Sequence, residues 1–133
     1  MGSLTYWNDT YTVGNDLLDG HHKKLLEISG RAFRILAAPH VPHLEFDALL
    51  NDYAETQREH FAAEERALAR NHYPKLAAHV AEHDALRAQL TDLLCRADEG
   101  ESYIRGLLAL MADYAGNHLL HTDLECKPYL KGR

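Results

Sequence analysis

The chain is poor in cysteine, and its two cysteines, Cys95 and Cys126, lie far apart in the sequence. Two cysteines are too few for the disulfide framework of a small secreted protein, so we expect two free thiols in a reducing compartment. Cys95 follows two leucines, and we expect it to be a small core residue.

Long apolar runs are also missing. No stretch approaches the roughly 20 apolar residues that a membrane-spanning helix needs. The first residues contain neither the basic nor the apolar segment of a signal peptide, and Tyr6 breaks the myristoylation pattern. We therefore expect a cytoplasmic protein that is not attached to a membrane.

Positive charge is not in excess either. The formal net charge is −6, and acidic and basic residues are interspersed along the chain. A nucleic-acid surface needs a basic stripe, so we expect no nucleic-acid partner. The 133 residues are 46% hydrophobic and 26% charged, a composition typical of one globular domain, which we expect to span 1–133.

Four stretches with helical spacing of apolar residues make up most of the sequence. They predict helices at about 19–37, 43–70 and 74–100, and a fourth from 102 to a point before Pro128. Asp19 is the predicted N-cap of the first helix. The predicted fold is all-α, an up-down-up-down antiparallel four-helix bundle over 17–123. An extended N-terminal arm, 1–16, with Trp7 lying against the domain, precedes the bundle, and a C-terminal tail, 124–133, follows it.

Five of the ten histidines and two carboxylates have the spacing of metal ligands: His22, His60, Glu64, His79, His83, His118 and Asp123. Residues four apart lie on one face of an α-helix, so the second and third helices each present a pair of ligands. The last two are five apart, which requires Asp123 to reach back or the helix to loosen near its end. We interpret the other histidines as surface or satisfied core residues: His21, His40, His43, His72 and His121.

Imidazole ligands suit iron, zinc and copper, whereas carboxylates suit harder ions and can bridge two of them. Two octahedral ions have twelve coordination positions, of which five histidines, two bridging carboxylates and one bridging oxide or hydroxide fill eleven. The one open position suits a small diatomic ligand better than a bulky substrate. Seven ligands are too many for one tetrahedral zinc ion, and the sequence does not distinguish iron from manganese. A ferritin-like site calls for Glu-x-x-His motifs, and the sequence has none.

These segments resemble hemerythrin domains of the single-domain bacterial type. The matching stretches follow the family's order and cover nearly the whole chain: WNDTYTVG (7–14), LLDGHHKKL (17–25), HFAAEE (60–65), YPKLAAHVAEH (73–83) and HLLHTD (118–123). The resemblance implies a non-heme di-iron site that binds dioxygen reversibly.

The resemblance also implies a role for each ligand. By matching positions, His79, His83 and His118 hold one iron, and His22 and His60 hold the iron with the open position. In the family, an oxide or hydroxide and two carboxylates bridge the ions, and the carboxylates here are Glu64 and Asp123.

The chain departs from the family at the expected oxygen pocket. The family usually has tryptophan followed by leucine one turn before the fourth-helix histidine, where this chain has Tyr114 and Ala115. One interpretation is ordinary core variation, since cores accept repacking. The other is a roomier, more polar pocket in which Tyr114 donates a hydrogen bond, and this predicts faster autoxidation than with Trp-Leu.

The expected function is that of a dioxygen-binding protein, for storage, delivery or buffering, rather than an enzyme. Two alternatives remain. One is a sensor module whose di-iron state signals to a protein partner, and the other is a di-iron enzyme that reduces peroxide or nitric oxide. The two residues of the pocket are the sequence support for the enzyme.

Overall fold

Four long helices and a short fifth confirm the all-α class. A computed structural model of the chain describes residues 7–36, 43–96 and 101–130. The helices are α1 (Asp16–Leu36), α2 (His43–Arg70), α3 (Leu76–Leu94), α4 (Glu101–Asp113) and α5 (Lys127–Leu130). Within these ranges no strand occurs, and no helix is both long and apolar enough to cross a membrane.

A π-helical segment, Tyr114–Asp123, continues directly from α4. A π-helix closes its hydrogen bonds between residues five apart, so it is wider than an α-helix and stacks residues at that spacing. His118 and Asp123 therefore come to lie on the same side of the segment. The spacing of His118 and Asp123 required a loosened helix, and the π-helical segment provides one. The segment is 10 residues long, which is more than a single turn.

The N-terminus of α1 differs from the prediction, because the helix begins before Asp19. The Asn15 side chain accepts a hydrogen bond from the Leu18 backbone N–H at 3.2 Å, which is the contact of an N-cap. The Asp19 carboxylate instead reaches back to the arm, where it accepts hydrogen bonds from the Val13 backbone N–H at 2.9 Å and from the Thr12 hydroxyl. Asp19 thus holds the arm against α1.

The arm is not extended throughout, since Asp9–Tyr11 forms one turn of 3-10 helix. Trp7 and Tyr11 pack against the apolar core with their ring centroids 5.8 Å apart, and the Lys23 ammonium group lies 5.1 Å from the Trp7 ring. The prediction that Trp7 lies against the domain is confirmed.

Two apolar clusters fill the interior. The larger lies between the long helices, each of which contacts its neighbours in sequence, while α1 also contacts α4. The smaller joins the arm, the start of α1, the end of α2 and the C-terminal residues, and consists of Val13, Leu18, Ala63, Ala67, Leu68, Cys126 and Leu130. Along α2 the larger cluster ends at Phe61 and the smaller begins at Ala63. The candidate ligands His60 and Glu64 therefore lie where the two clusters meet.

The last part of the chain is more ordered than a tail. Its α5 turn contacts α2, and Cys126 and Leu130 are fully buried. Proline is tolerated in the first turn of a helix, which explains why Pro128 does not prevent α5. The prediction for Cys95 is wrong: both cysteines are free thiols, but α3 ends at Leu94 and Cys95 is exposed.

The turn after α2 is a Schellman motif. The Tyr73 N–H donates to the Leu68 carbonyl at 3.0 Å and the His72 N–H to the Ala69 carbonyl at 3.2 Å. His72 has a φ of 57°, in the left-handed region where a side chain is strained and glycine is not.

We therefore expect His72→Gly to raise the free energy of unfolding of the metal-free protein by about 1 kcal/mol. His72→Ala keeps the Cβ, so it should bring no such gain. Urea unfolding of the three proteins measures the difference, and equal midpoints for the glycine and alanine variants would contradict this account of the turn.

Candidate metal centre

The structure brings all seven predicted ligands together in the interior. Each is at most 3% exposed. Their ligand atoms form two groups in which all atoms lie within 4.8 Å of one another: Glu64, His79, His83, His118 and Asp123 in the first, and His22, His60, Glu64 and Asp123 in the second. One group thus has three histidines and the other two, and both share the same two carboxylates.

Each carboxylate directs its two oxygens to different groups. Glu64 Oε1 lies 2.5 Å from His79 Nε2 and 3.1 Å from His83 Nε2, while its Oε2 lies 3.3 Å from His60 Nε2. Asp123 behaves in the same way. Its Oδ1 lies 3.1 Å from His118 Nε2 and its Oδ2 lies 3.1 Å from His22 Nε2.

The helices explain how the ligands meet. His60 and Glu64 are one turn apart on α2, and the same spacing on α3 places the His79 and His83 rings with their centroids 4.5 Å apart. α1 supplies His22, and the π-helical segment supplies the remaining two. Helices α1, α2 and α3 and the π-helical continuation of α4 therefore each contribute at least one ligand.

The two carboxylates are ionised in this environment. Burial raises the pKa of Glu64, but hydrogen bonds with His118 and His60 outweigh it and hold the pKa well below its usual range. Burial and the charge of Glu64 also raise the pKa of Asp123, but the charge and hydrogen bond of His118 bring it below its usual range. Two buried negative charges so close together need compensating positive charge.

Without a metal, protonated histidines provide that charge. Burial lowers the pKa of each ring, but hydrogen bonds and the charges of Glu64 and Asp123 outweigh it, and at His79 the ring Nδ1–H donates a further hydrogen bond to Cys126 Sγ. The resulting pKa values are about 9 for His60, about 10 for His79 and about 11 for His118.

A second set of hydrogen bonds fixes the outer nitrogens of four of the five histidines. The Nδ1 atom of His83 lies 2.7 Å from a Glu65 oxygen, and that of His118 lies 2.7 Å from a Glu82 oxygen. His60 Nδ1 is 3.1 Å from His21 Nδ1, and His79 Nδ1 is 3.5 Å from Cys126 Sγ. These contacts aim every Nε2 atom inward, an arrangement typical of metal-bound histidine. For His22 Nδ1, no partner lies in the described part of the chain.

The spacing of the ligands did not predict these four partners. The sequence predicted His21 to be a surface or satisfied core residue, whereas it contacts the candidate ligand His60. The same prediction for His40, His43 and His121 is not addressed, because their side chains lie outside the described residues. The available signal was adjacency: Glu65 follows Glu64 directly, and His21 precedes His22. Glu82 likewise precedes the ligand His83 directly, whereas nothing in the sequence position of Cys126 indicated its contact with His79.

Glu65 and Glu82 also have partners of their own. Arg87 donates to Glu65 at 2.9 Å and lies over the Phe61 ring at 5.2 Å, while the Thr122 hydroxyl donates to Glu82 at 3.1 Å. Because each outer carboxylate is fixed in turn, the histidine rings have little freedom to rotate.

We expect Cys126→Ala to weaken metal binding by about 10- to 100-fold, the usual effect of removing an outer partner of a metal-bound histidine. Cys126→Ser retains a hydrogen-bonding atom and should weaken it less. The matched control is Cys95→Ala, which removes the exposed thiol and should change nothing. Competition with a chelator of known affinity measures the constants, and equal losses for Cys95→Ala and Cys126→Ala would contradict a role at His79.

Both residues of the predicted oxygen pocket are buried near these ligands. The Tyr114 ring stacks on His118 with centroids 5.5 Å apart and lies 6.2 Å from the Phe61 ring. Burial raises the pKa of Tyr114 well above its usual range, and the negative charges of Asp123 and Glu64 raise it further. Ala115 is 3% exposed and belongs to the larger apolar cluster.

The donor set fits a pair of metal ions. Three inward atoms, His60 Nε2, Glu64 Oε2 and Asp123 Oδ1, are buried and face the centre, and although oppositely charged atoms lie 3.1 to 3.3 Å away, none of the three is in a well-aligned hydrogen bond with a described residue. Buried polar atoms in native proteins are nearly always satisfied. Nitrogen and oxygen ligands in two groups that share carboxylates can satisfy them by binding two ions.

Comparison with known proteins gives the same family as the sequence. A model of the hemerythrin HHE cation binding domain matches residues 13–130. A bacteriohemerythrin of Clostridium acetobutylicum is 28% identical over 126 residues, covering 90% of this chain and 95% of the relative. One of Stenotrophomonas maltophilia is 22% identical over 121 residues, covering 91% and 78%. No solved structure gives a significant match. The chain, with its cluster of buried histidines and carboxylates, belongs to the hemerythrin HHE cation-binding family.

Proposed function

We propose that the chain binds two iron ions at the seven clustered residues and uses them to bind dioxygen reversibly. One observation carries this proposal: each carboxylate directs one oxygen to one histidine group and its other oxygen to the other group. Ligands arranged in this way suit two ions bridged by Glu64 and Asp123, with an oxide or hydroxide as a third bridge. A single ion in one of the two groups would face only one oxygen of each carboxylate.

When bound, two iron ions supply the electrons for reversible dioxygen binding, and the protein has three tasks. It holds the ions through His79, His83 and His118 on one side and through His22 and His60 on the other. The group with two histidines has one nitrogen ligand fewer, so a small ligand has room there. The burial of all seven residues excludes water, which slows side reactions.

The proposal also includes the topology of the helical bundle, the cellular location and the kind of activity. Each long helix contacts the next one along the chain, and α4 also contacts α1. These contacts support an up-down-up-down antiparallel bundle. A cytoplasmic location, the absence of a nucleic-acid partner and action as a binding protein rather than an enzyme stay predictions from the sequence. Peroxide or nitric oxide reduction is the second candidate, favoured by the buried Tyr114 hydroxyl, which has no partner among the described residues.

The experiment that tests dioxygen binding is a spectral cycle on protein loaded anaerobically with iron(II). We expect a visible absorption band that appears when oxygen is admitted, disappears when oxygen is removed, and returns over several cycles. Irreversible oxidation on first contact would contradict reversible binding. Catalysed turnover of peroxide or nitric oxide, measured against free iron, would then favour the second candidate.

The pocket residues provide a further prediction. We expect Tyr114→Trp with Ala115→Leu to slow autoxidation about tenfold, a change that corresponds to about 1.4 kcal/mol of activation free energy. The larger apolar side chains fill space near His118 and remove the phenol, so water and protons reach the ligands less easily.

The rate is the first-order loss of the oxygen-dependent absorption band. Tyr103→Phe is the control, since Tyr103 belongs to the same apolar cluster but lies near the start of α4. An unchanged autoxidation rate in the double variant would show that the departure from Trp-Leu is ordinary core variation.

A further inference from the structure

A row of oxidisable side chains leads from one candidate ligand to the surface. Cys126 Sγ lies 3.5 Å from His79 Nδ1, the ring nitrogen that faces away from the centre. The Tyr73 ring lies edge-on to the same histidine, with the ring centroids 6.3 Å apart. The Tyr129 ring follows, with its centroid 4.9 Å from that of Tyr73. Cys126 is fully buried and both tyrosines are half-buried, so the row extends from the interior to solvent.

Contacts between the turn after α2 and the C-terminal residues hold this row in place. A hydrogen bond joins the Tyr73 and Cys126 side chains, and it raises the pKa of the phenol above its ordinary value. The Asn71 side-chain amide donates to the Tyr129 backbone carbonyl at 2.7 Å, which fixes α5 against the turn. Both tyrosines also pack against the smaller apolar cluster, to which Cys126 belongs. The row is therefore part of the folded structure.

The chemistry of this row differs from that of the other outer partners of the histidines. A thiol and a phenol each give up one electron readily, and cysteine is among the side chains most easily oxidised in proteins. The remaining outer partners, Glu65, Glu82 and His21, carry carboxylate and imidazole groups that resist one-electron oxidation. Among the described outer partners, Cys126 is thus the one through which an electron can move in short steps.

Tyr114 is also close to a ligand, since its ring stacks on His118, but it is poorly suited to the same task. A tyrosine that loses an electron also loses its phenolic proton, which needs an acceptor. The Tyr114 hydroxyl is buried and has no hydrogen-bond partner among the described residues. Tyr73, by contrast, has both a hydrogen bond and access to solvent.

We propose that Cys126, Tyr73 and Tyr129 form a radical-transfer path that carries an oxidising equivalent from the His79 side of the metal centre to the surface. The path rests on the iron-binding part of the proposed function, but not on reversible dioxygen binding. It operates when hydrogen peroxide meets a half-oxidised centre, which holds one ferrous and one ferric ion. It protects the buried ligands, because the oxidising equivalent reaches an accessible tyrosine instead of a ligand histidine.

Electrons and protons balance in this step. The reduction of hydrogen peroxide to two water molecules takes two electrons and two protons. The ferrous ion supplies one electron and becomes ferric. Tyr129 supplies the other electron through Tyr73 and Cys126, and it also loses its phenolic proton, while solvent supplies the second proton. Tyr129 is left as a neutral radical. A small thiol from solution then donates a hydrogen atom, which restores the tyrosine and leaves a thiyl radical.

The test adds hydrogen peroxide to the half-oxidised iron-loaded chain and measures the electron paramagnetic resonance signal of the tyrosyl radical in rapidly frozen samples. We expect Tyr73→Phe to lower the radical yield about tenfold, which corresponds to about 1.4 kcal/mol of added barrier to the transfer step. Cys126→Ser keeps a hydrogen-bonding atom but resists oxidation, so it should lower the yield as well. Tyr103→Phe removes a phenol near the start of α4 and should leave the yield unchanged.

Mass-spectrometric mapping of oxidised residues gives a readout that does not depend on any activity. In the unaltered chain, oxidation should concentrate at Tyr129 and Tyr73. In Tyr73→Phe it should move to the ligand histidines, and repeated additions of peroxide should release more iron. Iron content is measured in every sample, and yields are expressed per iron-loaded chain. Tyr73→Phe leaves the contact between Cys126 and His79 in place, so it decides the result if Cys126→Ser loads poorly.

A radical yield in Tyr73→Phe equal to that of the unaltered chain would overturn the path. Loss of the signal in Tyr114→Phe instead would also overturn it, since the radical would then form inside the pocket. Failure of the path is distinguishable from failure of the proposed function. A reversible oxygen band without a radical that depends on Tyr73 rejects the path alone. A radical that depends on Tyr73, in a chain that oxygen oxidises irreversibly, rejects reversible dioxygen binding and keeps the path.

Discussion

Replacing Glu64 with alanine should lower the metal content from the proposed two ions per chain to at most one. Glu64 is the residue with the most contacts in the centre, since its two oxygens lie within 4.0 Å of all five histidine Nε2 atoms. Without it, each histidine group loses one of the two carboxylates that both groups share. We expect the affinity for the first ion to fall by more than about 100-fold, a larger loss than that expected for an outer partner.

Metal analysis after dialysis measures this effect, with Glu55→Ala as the control. Glu55 is on the same helix, but its side chain is 55% exposed and pairs with Arg58 at the surface. Asp123→Ala should also leave fewer than two tightly bound ions. Two tightly bound ions and an unaltered spectrum in either centre variant would show that the carboxylate does not bridge.

Metal binding releases protons and strengthens steeply as the pH rises. In the metal-free chain the pKa values of His60, His79 and His118 are about 9, 10 and 11, so these rings carry protons at pH 7. A metal ion binds the neutral ring and must displace them. Each proton released makes the apparent affinity rise about tenfold per pH unit.

The stability of the metal-free chain has the opposite dependence. The three histidine pKa values are raised from 6.5, so the stabilisation from protonation is complete below pH 6.5 and is lost as the pH rises through 9 to 11. The pKa values of Glu64 and Asp123 are lowered, so their contribution is present above their ordinary values of 4.5 and 3.8 and is lost in more acidic solution. The metal-free chain should therefore be most stable at about pH 5 to 6.5.

Two measurements check this linkage. Titration of unbuffered metal-free protein with zinc or iron(II) should acidify the solution, and chelator competition at pH 6, 7 and 8 should give rising affinities. No acidification, together with an affinity that does not change with pH, would contradict the account of the charged histidines.

The helical part of the fold follows from the spacing of apolar residues. The bounds of α2 agree with the prediction because Pro42 precedes the helix and the Asn71–Pro74 turn follows it. The start of α1 was missed because Asn15 and Asp19 are both good N-caps by residue type, and only the contact between Asp19 and the arm separates them. The α5 turn was missed because its stability comes from packing of Leu130 against residues distant in sequence.

The candidate ligands could be predicted because helical periodicity places them on inward faces. The spacing of His118 and Asp123 suggested loosening of the helix but gave neither its type nor its length, since a π-helix has no strong sequence signal. Adjacency to Glu64 and His83 pointed to Glu65 and Glu82 but not to the histidine ring that each one contacts, and nothing in the sequence pointed to Cys126. These contacts depend on how neighbouring helices are rotated and on the fold of the C-terminal residues.

The most direct test of the central claim is diffraction from iron-loaded crystals, with data collected on both sides of the iron absorption edge. We expect two iron peaks per chain, one bound by His79, His83 and His118 and the other by His22 and His60, with Glu64 and Asp123 contacting both. A single peak, or two peaks that share neither carboxylate, would contradict the two-ion centre.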